Sequence, residues 1–247
     1  MTDPADVPVA ILCGGLGTRL GPLAEAVPKT LVPVLGRPFL EHQVDLLAGQ
    51  GFRRFVLLTG HRGDLVEAHF RTYGDGRPTF LFSREERPEG TGGALFRARH
   101  LLGDAFLVLN GDSYLAVDYR ARLARLLASP PEVVGVLAAF RNAEPTAAVE
   151  ANNLAVSGDT VREYRKRGDD PLLTRVDAGA GAYRASLFGY FAADDPRPLS
   201  LEEAVWPRVI REGSLLAFAA PERPWDIGTP ARLDAFSAHL GRRDDSP

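Results

Sequence analysis

The stretch VAILCGGLGTRLGPLAEAVPKT, Val9 to Thr30, joins a short apolar run to a glycine-rich loop. The apolar run, Val9 to Cys13, is typical of a buried strand. In the loop, Gly14, Gly15 and Gly17 are expected to adopt positive φ, which would let successive N–H groups converge on phosphate oxygens. The stretch therefore predicts a strand followed by a loop that holds a nucleoside triphosphate.

Cationic side chains accompany this loop. Arg19 offers a planar fork of donors, and Lys29 places a compact ammonium after the loop. Only two of the 29 basic residues are lysines, Lys29 and Lys166. Where arginine fills every other basic position, a lysine indicates a site that needs a point charge on a flexible stem. The alternative is chance survival of two lysines in an arginine-rich chain.

The composition is that of an ordinary globular protein, with 247 residues, 45% hydrophobic content and a formal net charge of -3. No basic stripe interleaved with aromatic residues occurs, so we expect no nucleic-acid partner. The opening MTDPADVP lacks the basic and apolar regions of a signal peptide, and no apolar run reaches the roughly 20 residues of a membrane span. We therefore expect a cytoplasmic protein with no membrane partner.

Strand-like and helix-like patterns alternate through the first half of the chain. The segments are Val9 to Cys13, Phe39 to Leu47, Phe55 to Thr59, Asp64 to Phe70, Thr79 to Phe82, Gly92 to Leu102 and Ala105 to Leu109. A helix with Asp118 as its N-cap follows, and Val133 to Phe140 returns to a strand. This alternation predicts an α/β fold, in which a mainly parallel twisted sheet carries helices on both faces.

The second half has a different pattern. From Asn153 to Tyr183 short alternating strands predict a small antiparallel insertion beside the sheet. Ser200 and Glu203 form a capping-box pattern, and Pro207 is expected to kink or divide the helix that follows. The Thr-Pro pair at residues 229–230 is expected to open the last helix.

The glycine loop differs from two common phosphate-binding motifs. A dinucleotide fingerprint needs G-x-G-x-x-G, but Leu20 stands three positions after Gly17. A P-loop needs Gly-Lys-Ser/Thr, whereas Thr18 and Arg19 follow Gly17. Both motifs are therefore excluded.

Two aspartates are placed to hold a metal ion. Asp112 comes shortly after the five apolar residues of a predicted strand, at the sheet edge where open α/β sheets bind ligands. Asp226 stands at a second strand end, before a helix. Two carboxylates together with phosphate oxygens suit Mg²⁺. Taken alone, each residue has an alternative, an Asx-turn or N-cap for Asp112 and a turn for Asp226.

GGLGTRL with the following PK resembles the signature of the sugar-1-phosphate nucleotidylyltransferases. Other motifs of that family follow in the family's order, namely EGTGGAL (89–95), LNGD (109–112), EYRK (163–166), DAGAGAY (177–183) and WDIGTP (225–230). The chain is most similar to the heptose-1-phosphate and mannose-1-phosphate guanylyltransferases, through LCGGLGTRL, RPFLE, EGTGGAL and DIGTP. The resemblance covers nearly the whole chain and implies a Rossmann-like fold of the GT-A type.

The resemblance implies an enzyme that joins a nucleoside monophosphate from a nucleoside triphosphate to a sugar 1-phosphate and releases pyrophosphate. It favours GTP, a manno-configured heptose or hexose phosphate, and Mg²⁺ as cofactor, although the glycines themselves do not specify the base. The alternatives are a uridylyl- or thymidylyltransferase acting on another sugar or cyclitol phosphate, and a non-catalytic nucleotide-sugar sensor. A metal-dependent glycosyltransferase is disfavoured because its Asp-x-Asp is absent. A homodimer is one option for the oligomeric state.

The resemblance also implies residue roles. Arg19 contacts the departing pyrophosphate, Lys29 the phosphates at the reacting centre, and Lys166 the sugar phosphate, so that Arg19, Lys29 and Asp112 are the expected catalytic residues. Asp112 and Asp226 are the expected metal ligands. The expected nucleotide contacts are Cys13, Gly14, Gly15, Gly17, Thr18, Arg19, Glu89, Gly90, Thr91 and Gly92. The expected contacts of the second substrate are Asp112, Lys166, Asp177 and Gly179. For EGTGGA, the alternative is a simple turn into a helix.

Three positions depart from the family pattern. Thr30 stands where a proline commonly follows the lysine, Arg165 stands where a glutamate commonly precedes the second lysine, and Asp177 replaces a frequent asparagine. In addition EANN (150–153) lacks the Tyr-Gly of many relatives. The departures at Arg165 and Asp177 lie in the predicted sugar pocket. Together with the difference at EANN, they make an unusual acceptor such as a cyclitol phosphate an alternative.

We expect a single domain over residues 1–247, with an ordered core of about residues 9–240. Its nucleotide-binding half is about residues 9–130 and its sugar-binding half about residues 131–240, and the segments MTDPADVP and GRRDDSP are expected to be disordered. Cys13, the only cysteine, is predicted to be a small buried hydrophobe. The acidic pairs at residues 169–170, 194–195 and 244–245 are predicted to be solvated loop charges. Trp206 and Trp225 are predicted to be packing residues.

Overall fold

The computed structural model describes residues 3–21, 27–74, 78–142, 151–166, 170–195 and 197–244, with side chains as far as residue 242. Its strands are β1 (Pro8–Leu12), β2 (Pro33–Val34), β3 (Arg37–Pro38), β4 (Arg54–Thr59), β5 (Thr79–Arg84), β6 (Ala105–Asn110), β7 (Ser113–Tyr114), β8 (Gly135–Phe140), β9 (Leu154–Ser157), β10 (Thr160–Tyr164), β11 (Val176–Arg184), β12 (Leu215–Ala220) and β13 (Trp225–Asp226). Its α-helices are α1 (Phe39–Gly49), α2 (Gly63–Arg71), α3 (Gly90–Arg97), α4 (Tyr119–Ala128), α5 (Trp206–Arg211) and α6 (Pro230–Asp244). Short 3₁₀ helices span Pro4–Asp6, Thr18–Leu20, Lys29–Leu31, Ala98–Leu101 and Ala185–Tyr190, and Leu201–Val205 forms a π-helical turn.

In the described part of the chain nine strands form one mixed sheet, in the order β5, β4, β1, β6, β11, β8, β12, β10, β9. β1 pairs parallel with β4 and β6, so that Ile11 lies opposite Leu57 and Leu109. β8 and β12 also pair parallel, whereas β11 runs antiparallel to both β6 and β8. The predicted α/β fold with a mainly parallel sheet is confirmed. The antiparallel strands expected beside the sheet are part of it, because β11 lies near its centre and β9 with β10 forms one edge.

Side chains that alternate along the strands form a core on each face of the sheet. Ile11 and Leu57 belong to a buried cluster with residues of α1, α2 and α4. Their neighbours Ala10 and Val56 belong to the opposite cluster, with residues of α3 and α5. Because a strand turns successive side chains to opposite faces, apolar runs such as β1 are buried on both sides.

A third buried cluster joins α6 to α1, to β7 and to the turns that carry Leu20 and Ile227. The Phe236 ring of α6 lies 5.3 Å from the ring of Phe39 and 5.0 Å from that of Tyr114. Leu20 and Ile227 belong to the same cluster. These residues immediately follow Arg19 and Asp226 in the chain, so the cluster fixes the backbone that carries two predicted site residues.

Helix boundaries follow the predicted capping residues. Asp118 Oδ1 accepts a hydrogen bond from Ala121 N–H at 2.9 Å, and Ser200 Oγ accepts one from Glu203 N–H at 3.1 Å. Pro207 lies just after the junction between the π-helical turn and α5, as expected for a residue without an N–H donor. The Thr-Pro pair at residues 229–230 also opens α6, where Thr229 Oγ1 accepts from Arg232 N–H.

Some expectations about the polar segments are wrong. Residues 4–6 form a 3₁₀ turn capped by Asp3, and α6 continues to Asp244, so parts of both terminal segments are ordered. Asp195 is not a solvated loop charge, because its side chain is 2% exposed and pairs with Arg208. The expectations for Glu150, Asp169 and Asp245 lie outside the described residues. No helix in the described part of the chain has the length and apolar character needed to cross a membrane.

Candidate active site

A cavity of about 650 Å³, here called the reaction cavity, opens where β1 and β6 end. The predicted site residues on its wall are Gly14, Gly15, Arg19, Lys29, Gly90, Thr91, Asp112, Lys166, Asp177, Gly179 and Asp226. The cavity thus brings together the glycine loop, both lysines and both predicted metal ligands, which come from distant parts of the sequence. Open α/β sheets bind ligands at this edge, beyond the carboxyl ends of their parallel strands.

The glycine-rich loop has only part of its predicted geometry. Gly17 has a φ of 65° and precedes the turn Thr18–Leu20. The expectation of positive φ at Gly14 and Gly15 is wrong. A side chain at Gly14 would displace a neighbouring group, because a Cβ there would lie 2.7 Å from Glu85 Oε1. Gly14 therefore makes room for a carboxylate and does not need an unusual backbone conformation.

Lys29 and Asp112 form an ion pair on the cavity wall. Lys29 Nζ donates to Asp112 Oδ2 over 2.5 Å, and the Lys29 side chain is 9% exposed. Burial tends to raise the pKa of Asp112, but the Lys29 ammonium, the Ser113 hydroxyl and the Arg19 charge hold that pKa below its ordinary value. Asp112 is therefore an ionised carboxylate at neutral pH, with a neutralising cation in direct contact.

The strand pair β7 and β13 brings Asp226 beside Asp112. Asp226 lies opposite Ser113 in this pair, and Ile227 N–H donates to the Asp112 carbonyl at 3.0 Å. Asp226 Oδ2 accepts from Arg232 Nη1 at 2.8 Å. Within the described residues no group of three His, Cys, Asp or Glu side chains could hold a metal by itself. Two neighbouring carboxylates fit a hard cation that completes its shell with phosphate oxygens and water.

The model of a protein family described as "Nucleotidyl transferase" matches residues 9–233. The chain belongs to the nucleotidyl transferase family. Members of this family generally use a divalent metal ion. One relative, the mannose-1-phosphate guanylyltransferase of Mycobacterium tuberculosis, is 28% identical over 242 residues, which cover 96% of this chain and 65% of that protein. The chain therefore spans slightly less than two thirds of this relative's length.

Solved structures share the fold of this nucleotidyl transferase. HddC from Yersinia pseudotuberculosis, complexed with GMP-PN, superposes with a TM-score of 0.77 at 24% identity, covering 95% of this chain and 99% of HddC. The inositol-1-phosphate CTP transferase of T. maritima superposes with a TM-score of 0.80 at 17% identity, covering 98% of both chains. At these identities the likeness concerns the fold alone.

The far side of the reaction cavity is built by β11 and the segment after β10. Asp177 N–H donates to Asn153 Oδ1 at 2.7 Å, and the pairing of β11 with β8 is irregular between Asp177 and Gly181. Gly179, within that irregular stretch, has a φ of 72°. Lys166 Nζ donates to Glu203 Oε2 at 2.8 Å, and its side chain is 60% exposed. Lys166 of this nucleotidyl transferase therefore lies on the cavity wall in an exchangeable surface pair.

Five predicted nucleotide contacts, namely Cys13, Gly17, Thr18, Glu89 and Gly92, are not among the residues that line the reaction cavity. Cys13 is 3% exposed, and its N–H donates to the Leu58 carbonyl. Gly92 N–H donates to the Leu199 carbonyl at 2.9 Å. Glu89 faces a separate cleft, where it pairs with Arg97. Local motif likeness does not reveal which side of a loop faces the ligand.

Two carboxylates on the cavity wall, those of Glu85 and Glu202, are absent from the sequence-based prediction. Glu85 follows β5 directly, at the sheet edge that also identified Asp112, so the same rule could have found it. Glu202 Oε2 accepts from the hydroxyls of Thr91 and Ser200, at 2.7 Å and 2.8 Å. Its position follows from the docking of the π-helical turn on α3, which no local pattern encodes.

Proposed function

We propose that this protein transfers a nucleoside monophosphate from GTP to a manno-configured heptose or hexose 1-phosphate, giving a nucleotide sugar and pyrophosphate. The observation that carries the proposal is the shared cavity of Lys29, Lys166, Asp112 and Asp226. Two cations and two potential metal ligands around one cavity suit the joining of two polyanions.

The reaction needs charge neutralisation more than a base. A sugar-phosphate oxygen is already anionic when it attacks the α-phosphorus, and the bond from that phosphorus to the pyrophosphate oxygen breaks as the new bond forms. Lys29 stabilises charge on the reacting phosphate, and Arg19 stabilises the departing pyrophosphate. Lys166 exchanges its ion pair with Glu203 for one with the sugar phosphate. Asp112 and Asp226 would hold Mg²⁺, which when bound supplies further positive charge to the phosphates.

Glu85 supports guanine as the base. Its Oε2 accepts from Glu89 N–H at 2.8 Å, while its Oε1 lies against the two glycines at residues 14 and 60. Guanine presents two adjacent donors on its Watson–Crick edge, which match a carboxylate, whereas uracil and thymine present one donor between two carbonyls. Burial raises the pKa of Glu85. GTP affinity should therefore fall as decreasing pH protonates this carboxyl, because the protonated form loses acceptor capacity.

The first experiment measures pyrophosphate release for each nucleoside triphosphate against each of four acceptors. The acceptors are a manno-heptose 1-phosphate, mannose 1-phosphate, glucose 1-phosphate and inositol 1-phosphate, all with Mg²⁺. We expect the highest kcat/KM with GTP and a manno-configured acceptor. Folded protein that releases pyrophosphate with none of these pairs would refute the proposed reaction, and turnover confined to UTP or dTTP would refute the base.

A matched pair of variants tests the role of Glu85. Hydrogen bonds to a charged group contribute about 1.5–3 kcal/mol, so Glu85→Gln should lower kcat/KM for GTP by about ten- to a hundredfold. Glu86→Gln removes the same charge one residue later, at an exposed position outside the reaction cavity, and should stay within about twofold of the parent. Equal effects of the two substitutions would contradict base recognition by Glu85.

A further inference from the structure

A second cleft, of about 660 Å³ and here called the arginine cleft, lies against the loop that precedes α3. Its wall carries four arginines, Arg87, Arg97, Arg99 and Arg197, and one carboxylate, Glu89. Four positive charges against one negative charge give the cleft a formal charge of +3. This concentration is unusual in a chain whose net charge is -3, and it indicates an anionic ligand.

Two of the four guanidinium groups are already engaged within the protein. Arg97 pairs with the glutamate of the cleft, and Arg99 lies over the ring of Phe96, with its Cζ 4.2 Å from the centroid. By contrast, Arg87 and Arg197 make no hydrogen bond or ion pair with any residue that the structure describes. Their planar forks are therefore available to oxygens of a ligand, and phosphate is the group that such forks bind in bidentate geometry.

The arginine cleft and the reaction cavity lie on opposite sides of one loop, the loop that precedes α3. Pro88 lines both cavities. The next residue, Glu89, donates its N–H to Glu85 of the reaction cavity, and its carboxylate pairs with Arg97 of the arginine cleft. On the wall of the arginine cleft the Arg197 guanidinium packs closely against Gly93, because a Cβ on Gly93 would lie 2.6 Å from Arg197 Nη1. A glycine at this position thus leaves the space that the guanidinium occupies.

We propose that the arginine cleft binds a small anion with two linked phosphate groups. A phosphate monoester carries about 1.5 to 2 negative charges at neutral pH, so two phosphate groups balance the charge of the cleft where one does not. Phe96 is covered by Arg99, and the described wall offers no other aromatic ring for a base to stack on. The diphosphate group itself is therefore the recognised element, whether it is inorganic or part of a nucleotide.

The test uses isothermal titration calorimetry with inorganic pyrophosphate on the full chain. All variants carry Arg19→Gln, which removes the proposed pyrophosphate contact of the reaction cavity. The cleft variant adds Arg87→Gln and Arg197→Gln, and a charge-matched control adds Arg120→Gln and Arg211→Gln, two exposed positions outside both cavities. We expect pyrophosphate to bind the control at least tenfold more tightly than the cleft variant, with an affinity that falls as salt is added.

Two further ligands define the recognised group. Inorganic phosphate should bind the control at least tenfold more weakly than pyrophosphate. A GDP affinity at least tenfold lower in the cleft variant than in the control supports a nucleotide source of the diphosphate, and an equal GDP affinity in the two supports an inorganic source. An equal pyrophosphate Kd in the cleft variant and the control would overturn the proposal, as would phosphate binding as tight as pyrophosphate binding.

Diphosphate binding in the arginine cleft and catalysis in the reaction cavity can be tested separately. Arg87 and Arg197 lie outside the reaction cavity, so the chain with Arg87→Gln and Arg197→Gln alone should still release pyrophosphate from the proposed substrates. Both side chains are exposed, and circular dichroism will verify the fold. If the triple variant loses its native spectrum, Arg87→Gln and Arg197→Gln are tested singly on the Arg19→Gln chain, each with an expected loss of at least threefold in affinity.

Discussion

Replacement of Gly90 by alanine should destabilise the loop that separates the reaction cavity from the arginine cleft. Gly90 has a φ of 78°, which alanine rarely adopts. A Cβ there would also lie 2.4 Å from the Leu199 carbonyl oxygen and 2.8 Å from the Leu199 nitrogen. Leu199 cannot move freely, because its N–H donates to the Glu89 carbonyl at 2.7 Å and its carbonyl accepts from Gly92 N–H.

The expected loss follows from these contacts. The positive φ costs an alanine about 1 kcal/mol, and a forced backbone shift in a packed region costs about 1–3 kcal/mol more. Gly90→Ala should therefore lower the free energy of unfolding by about 3 kcal/mol. For a domain of this size, about 2–4 °C per kcal/mol predicts a Tm about 6–12 °C lower. Thermal unfolding followed by circular dichroism measures this shift.

Gly49→Ala is the matched control for this prediction. Gly49 is the last residue of α1 and has no positive φ, and a Cβ added there would meet no neighbouring atom within 4 Å. Alanine there should be neutral or stabilising by up to about 1 kcal/mol, because it lowers the conformational entropy of the unfolded chain. A Tm of Gly90→Ala within about 2 °C of the parent would refute the reasoning about this loop.

Three further outcomes are expected. Burial raises the pKa of the Cys13 thiol, so a thiol-specific reagent should modify none of it in the folded protein and one equivalent in denaturant; rapid labelling of native protein would contradict this. The hydrogen bond from Arg208 lowers the pKa of Asp195 from 3.8 to about 2. The ionised Asp195 therefore stabilises the fold fully above pH 3.8, and this stabilisation is lost as the pH falls toward 2. Asp195→Asn should therefore lower Tm at pH 7 and leave it almost unchanged at pH 2, and an equal loss at both values would argue against the ion pair. Asp226→Asn should lower kcat by about a hundredfold, near 3 kcal/mol, in pyrophosphate release at saturating Mg²⁺, and a loss below threefold would exclude a metal-binding role.

The fold was predictable because local patterns and long-range packing agree. Apolar runs such as Val9 to Cys13 suit a strand buried on both faces, and Asp118 caps a helix by a hydrogen bond to a residue three positions away. Such features depend on neighbours in the chain. The central place of β11 depends instead on pairing with two distant strands, which is why the sequence indicated only an antiparallel insertion beside the sheet.

Residues of the candidate site were predictable where a strand end or a family motif marks them. Lys29 and Asp112, 83 positions apart, meet over 2.5 Å on the wall of the reaction cavity, beyond the end of β6. The reason for Gly14 could not be predicted, since a side chain there would meet Glu85, which follows the distant strand β5. The burial of Asp195 was missed for a similar reason, because its partner Arg208 lies on α5.

The central position of β11 has a consequence for how ligand preference can change in such a protein. Residues 176–184 are held on one side by β6 and on the other by β8, so the two halves of the chain share a continuous backbone ladder. A recombination breakpoint between the halves would place strands of different ancestry side by side and disturb their fit, for example where the Phe106 ring of β6 stacks on the Tyr183 ring of β11. Single substitutions on the wall of the cavity avoid that conflict, which makes them the easier evolutionary and engineering route to a new ligand preference.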